Sequence, residues 1–157
     1  DKVDVVIHRE SIVHSMVEFV DGSVIAHLGR TDMAIPIQYA LTYPARREAP
    51  LSPLDVVQLG ALHFEAPDMT QYPGLALCYE VGRTGGTLPA ALNAANEVAV
   101  AAFLDGAIGF LDIHEINQAV VDGWEPVPAT SVDTVLDVDR DARQRATQVA
   151  DSLLAAA

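Results

Sequence analysis

The chain has 157 residues, half of them apolar and a fifth charged, with a net charge of −13. That length suits one compact domain or two small units, and the balance is globular rather than disordered. So acidic a surface repels phosphate backbones and argues against nucleic acid as a partner. No apolar run approaches the roughly 20 residues needed to cross a bilayer, so no membrane partner is expected.

The single cysteine, Cys78, cannot form an internal disulfide. It fits a reducing compartment, which points to the cytoplasm, and its expected role is that of a small buried hydrophobe. Asp1-Lys2-Val3-Asp4 opens straight into an apolar stretch with no basic leader, so the chain is expected to begin inside a fold.

In chain order, Val3 to Ile7 predicts a short buried strand. Ser11 to Val20 and Ser23 to Leu28 predict two more, joined by a two-residue turn at Asp21-Gly22. Such a turn sets Val20 opposite Ser23, Phe19 opposite Val24, Val17 opposite Ala26 and Met16 opposite His27. One face then carries Val13, Val17, Phe19, Val24, Ala26 and Leu28 and is expected on a core. The other carries His14, Met16, Glu18, Ile25 and His27, and faces solvent, a partner chain or an active site. A short helix closes the first 43 residues. Pro44, Pro50, Pro53, Pro67 and Pro73 then predict an extended connector.

The remainder reads as helices. Tyr72 to Val81 is closed by the Gly82–Gly86 stretch, and Leu88 to Leu104 recurs on one side through Leu88, Leu92, Ala95, Ala99 and Ala102-Phe103. Asp112 to Asp122 starts with a capping box formed by Asp112 and Glu115, which leaves His114 on the surface. Asp139 is expected to cap a final helix to Leu154, with Ala142, Ala146, Val149 and Leu153 inward. The fold class is α/β, as an α+β fragment: a partial β-sheet with a hairpin, a proline-rich connector and a C-terminal four-helix bundle.

The densest polar cluster near a strand is His8 to Met16. Ser11 and His14 could reach a substrate from a strand's end, and histidine titrates nearest neutral pH. Spacing alone favours a hydrogen-bonded structural histidine at His14. His14, Glu18 and His27 share a face but span too far for one ion, so a solvated or interface face is expected there. Glu10, Asp32 and Asp68 show no evident partner. Asn93, Asn96 and Glu97 interrupt an alanine-rich helix and predict a polar seam bonded to the neighbouring connector.

Taken in order, several strings resemble the 1-deoxy-D-xylulose 5-phosphate (DXP) reductoisomerase family. They are His8 to Met16, Asp21-Gly22-Ser23, Leu28-Gly29, Asp32-Met33, Pro36-Ile37, Pro53-Leu54-Asp55, Ala66-Pro67-Asp68, Tyr72-Pro73, Ala91 to Glu97 and Val100 to Leu104. The resemblance covers the chain from about Val5 to the last helix. It implies an NADPH-dependent conversion of DXP to 2-C-methyl-D-erythritol 4-phosphate, assisted by Mn2+ or Mg2+, in non-mevalonate isoprenoid synthesis. It also implies a homodimer formed through the sheet of the catalytic domain, and a sugar-phosphate substrate. Residues 1–49 would then be the C-terminal portion of the catalytic domain, 50–73 the connector and 74–157 the helical bundle domain.

By the same resemblance His14 matches a histidine near the metal and substrate site, with Ser11 just before it. Asp32 and Met33 match a pocket-lining segment. Arg9-Glu10 stands where the family usually has Pro-Gln, and Thr31 where it usually has proline. The family's NADPH domain, its metal-ligand motif and its phosphate-binding stretch match nothing here. No cofactor-binding or metal-ligating residue is therefore expected in this segment, which alone should be inactive. A second reading is a non-catalytic dimerisation or interaction module that uses the mixed hairpin face. A third is an independent metal hydrolase built on His14, Glu18 and His27.

Overall fold

A computed structural model describes residues 2–49 and 51–156. Asp1, where the reading of the first strand opens, Pro50, where the connector begins, and Ala157, where the bundle ends, lie outside the described residues. The chain divides into two compact units, Asp1–Pro67 and Asp68–Ala157.

The first unit holds a hairpin of β1 (Val13–Glu18) and β2 (Val24–Leu28), then α1 (Ala34–Thr42) and a single turn of helix, α2 (Val56–Leu59). Asp55 caps α2 by accepting the Val57 and Gln58 N–H groups. The hairpin forms where expected, but its register differs by one residue. Val17 pairs with Ile25 and Met16 with Ala26. The cause is the turn. Gly22 N–H donates to the Phe19 carbonyl, and Gly22 takes φ +84°, so the loop is the three-residue Val20-Asp21-Gly22 rather than a two-residue turn. Asp21 locks it by accepting from the Ser23 N–H and hydroxyl.

A one-residue slip exchanges the facing sets of side chains. The all-apolar face expected on a core is not formed. Val17, Phe19, Val24, Ile25 and Leu28 are all exposed, and β1 shows an irregularity between Val13 and Ser15. The strand expected at Val3 to Ile7 is also absent. Only Ile7 pairs, through a single bridge to Glu65. An isolated apolar run satisfies its backbone as a strand only when a neighbour supplies the ladder.

The second unit is a four-helix bundle: α3 (Pro73–Thr84), α4 (Leu88–Leu104), α5 (Asp112–Asp122) and α6 (Val132–Ala156). Pro73 sits in the first turn of α3, where its missing N–H costs nothing, and Gly85 ends the helix at φ +69°. Ala91, Ala94, Ala95 and Ala99 of α4 are buried in one cluster with Ala142, Ala146 and Ala150 of α6. Small side chains let the two backbones approach closely. Ile116 and Val120 of α5 fill the core beside them. Leu77, Val81, Leu88 and Val121 form a second cluster that joins α3 to α4 and α5.

Two helix starts differ from expectation. Asp112 is the first residue of α5 rather than its cap, and its carboxylate reaches back to accept the Gly109 N–H at 2.7 Å. The Asp112–Glu115 capping box is therefore not formed. The final helix begins at Val132, because Ser131 Oγ accepts the Thr134 N–H at 3.1 Å. Asp139 lies inside that helix and pairs with Arg143 at 2.8 Å.

Between α3 and α4 the chain makes a tight clamp. Thr87, fully buried, donates its N–H to the Val127 carbonyl at 2.9 Å, and its hydroxyl accepts the Val127 N–H at 3.1 Å. A Cβ on Gly86, at φ +60°, would stand 2.7 Å from that same carbonyl oxygen, so only glycine fits.

Candidate functional site

Four side chains were singled out from sequence: Ser11, His14, Asp32 and Met33. All lie in the first unit, around the start of the hairpin. The loop before β1 and the segment after β2 are tied together by their backbones. Gly29 N–H donates to the Ile12 carbonyl at 3.0 Å, and the Thr31 hydroxyl donates to the Ser11 carbonyl at 2.9 Å. Ser11 has φ +51°, a left-handed conformation that costs a non-glycine residue about 1–3 kcal/mol and persists only where surroundings impose it.

His14 is hydrogen-bonded through Nε2 to the Gly29 carbonyl at 3.2 Å, and its ring stands 5.8 Å from that of His27. The carbonyl can only accept, so the neutral ring carries its proton on Nε2 and presents Nδ1 as an acceptor. The imidazole is exposed, as a group meant to meet a ligand must be. Asp32 accepts the Ala34 N–H at 2.7 Å and sets the entry into α1, and Met33 is exposed beside it. The structure thus brings Ser11 and His14 to the 29–32 segment. Asp32 is turned to its own helix.

An open cleft of about 640 Å³ runs along β1, lined among others by Val6, His8, His14, Met16, Glu18 and Phe64. Ser11, Asp32 and Met33 are not in its lining. His8 forms the buried end of this cleft, and sequence reasoning underrated it. Its Nδ1 donates to the His63 carbonyl at 2.8 Å, while Nε2 accepts the Ile12 N–H at 3.1 Å. Its ring stacks on Phe64 at 4.6 Å. His63 and Phe64, more than fifty residues along the chain, gave no local signal.

The carboxylates without evident partners all have one. Glu10 accepts from His63 Nδ1, and that hydrogen bond holds its carboxyl below the usual range. Asp68 accepts from the Thr70 hydroxyl and N–H, which lowers it likewise. In the second unit the polar seam of α4 does not bond the connector. Asn96 accepts from Asn117 of α5 at 3.0 Å, Asn93 donates to Glu97, and Glu97 accepts from Arg143 of α6 at 2.6 Å. The seam therefore joins helices. Cys78 is exposed rather than buried, at a cleft of about 460 Å³ lined by Leu77, Leu92, Asn93 and Asn117. His114 is half-buried rather than on the surface, its Nδ1 shielded without a partner.

The donor set decides what the chain can hold. Among the described residues no three His, Cys, Asp or Glu side chains are placed to bind a metal ion. The glycine pair ahead of α4 is not a phosphate cradle either. The Thr87 N–H is taken by Val127, the Leu88 N–H by the Gly85 carbonyl, and Pro89 has none. Among the described residues, then, neither a three-ligand cluster for a divalent cation nor a phosphate cradle at this glycine pair is formed. No helix among the described residues is long and apolar enough to cross a membrane.

Residues 28–145 match the DXP reductoisomerase C-terminal domain. The chain belongs to the DXP reductoisomerase family. It is 50% identical over 149 residues to 1-deoxy-D-xylulose 5-phosphate reductoisomerase 1 of Bacillus thuringiensis subsp. konkukian, a match covering 95% of this chain and 39% of that protein. It is 51% identical over 144 residues to the enzyme of the same name from Acetivibrio thermocellus, covering 92% of this chain and 38% of that one. The chain thus spans under two fifths of the length of these reductoisomerases. Among solved structures, the Zymomonas mobilis DXP reductoisomerase in complex with NADPH superposes with a TM-score of 0.82 at 44% identity, over 92% of this chain and 38% of that one. A DXP reductoisomerase in complex with NADPH, fosmidomycin and magnesium gives 0.83 at 40% identity, over 94% and 38%. The mixed helix and two-strand architecture is that of the corresponding part of these reductoisomerases.

Proposed function

We propose that this chain is the C-terminal part of a longer enzyme that converts DXP to 2-C-methyl-D-erythritol 4-phosphate with NADPH and a divalent cation, Mn2+ or Mg2+. What carries this reading is half-identity sustained over 95% of the chain, against relatives of which it makes up 39%. In this reading NADPH and the cation are held by residues outside the chain, and the chain by itself is inactive. Residues 1–49 complete the catalytic domain, 50–73 connect, and 74–157 form the bundle domain. The setting is the cytoplasm and the pathway isoprenoid synthesis.

Within that enzyme His14 borders the substrate, held in one tautomer by the Gly29 carbonyl so that Nδ1 can accept a proton or hydrogen bond. Ser11, Asp32 and Met33 frame the same edge of the pocket. The exposed apolar hairpin supports a homodimer through this sheet. The protein isolated from its source should consume NADPH only when DXP is supplied and release 2-C-methyl-D-erythritol 4-phosphate. His14→Gln should lower kcat/KM on the order of 10²-fold with the fold retained. No DXP-dependent turnover in the unmodified protein would sink the reading.

The exposed apolar hairpin favours a second reading, a non-catalytic dimerisation module. It predicts a stable dimer that takes up neither NADPH nor metal and consumes no DXP.

A further inference from the structure

The loop that carries Ser11 is pinned from one side by residues far away in sequence. Glu10 is gripped between two imidazoles: Oε1 accepts from His63 Nδ1 at 2.5 Å, and Oε2 lies 3.1 Å from His8 Nδ1. A second tie joins Arg9 to Glu65 at 3.3 Å. The backbone bridge between Ile7 and Glu65 closes the patch, with N–H···O distances of 2.8 and 2.9 Å. Inside these ties the chain turns sharply: the Ser11 N–H donates to the His8 carbonyl at 3.2 Å, and the Ile12 N–H to His8 Nε2 at 3.1 Å. A left-handed Ser11 needs such external anchorage.

We propose that Glu10 and His63 form a protonation-dependent clasp that holds the Ser11 loop in its binding conformation. Both are positioning residues, acting through the loop that carries Ser11. The proposal rests on the reductoisomerase reading for what the loop binds, but the clasp itself does not. The groups facing it are His8 on one side of Glu10 and the Arg9–Glu65 pair alongside.

The pH dependence follows from the partners. Glu10 is held ionised below the usual carboxylate range by His63, so the clasp is complete above that range and lost as pH falls through it.

Amide hydrogen exchange in the intact source protein tests this. Protection of the Ser11 and Ile12 amides should drop about two- to fivefold as pH falls from neutral through the carboxylate range, the span of an exposed ion pair. His63→Gln and Glu10→Gln should each abolish that drop. An equal drop in both variants, or none in the unmodified protein, overturns the clasp. KM for DXP should rise over the same interval while kcat changes less, and a flat KM overturns the positioning role. A source protein without reductoisomerase activity would overturn the proposed function, and the exchange result would still decide the clasp.

Discussion

Gly86 is the residue at which backbone and packing demand the same thing. It has φ +60°, and its α-carbon faces the Val127 carbonyl so closely that a Cβ would stand 2.7 Å from the oxygen. Gly86→Ala should destabilise the bundle by about 1–3 kcal/mol, read as a lower urea midpoint. Arg143 makes a different prediction. It donates to Asp139 on its own helix and to Glu97 on α4, and both carboxyls are lowered chiefly by those bonds, with Asn93 adding to Glu97. Depressed carboxyls contribute stability above their unfolded range, about pH 4, and lose it as pH falls through their folded values. The Tm difference between the unmodified protein and Arg143→Met should therefore hold steady at neutral pH and shrink in acid. A difference that grows in acid would contradict the pairing. At this scale the sequence is a poor guide. Nothing near Glu10 announces His63, and the pair of Asn residues in α4 signals hydrogen bonding without saying to which helix.

The elements were more legible where their signals are local. The bounds of α4 follow from alanine and leucine periodicity with Asp105-Gly106 beyond, and the structure returns Leu88–Leu104. The hairpin was readable from Asp21-Gly22, but its register was not. The same two residues serve a two-residue turn or the end of a three-residue loop, and only the Gly22–Phe19 hydrogen bond separates them. The cap of the last helix lies eight residues before Asp139, since an acid inside a helix looks like a cap until its Arg143 partner is seen. Ser131 is the cap. Ser131→Ala should thus cost about 1 kcal/mol of unfolding free energy and raise amide exchange over the first turn of α6. Asp139→Ala should leave exchange in that turn unchanged, and the reverse pattern would restore Asp139 as the start.

Across the whole molecule, the two units differ in how they are stabilised. The second unit buries an alanine-rich core across α4, α5 and α6, with a second cluster joining α3, whereas the first leaves both strands of its hairpin exposed apart from the part-buried Val13. The expected strand at Val3 to Ile7 fails because only Ile7 finds a ladder partner, and the apolar hairpin face fails through the one-residue slip in register. The family, by contrast, was readable from strings alone, because motif order survives where packing cannot be inferred. The site was half legible. His14 and Ser11, named from sequence, meet the 29–32 segment, while the His8, Glu10 and His63 contacts depend on residues brought together only by the fold.

The intact mass of the protein isolated from its source tests the central claim most directly. The account predicts a mass well above the 16.7 kDa of this chain, because the chain makes up only 39% and 38% of the reductoisomerases it matches. A mass of 16.7 kDa would contradict the reductoisomerase account and leave the interaction module in its place.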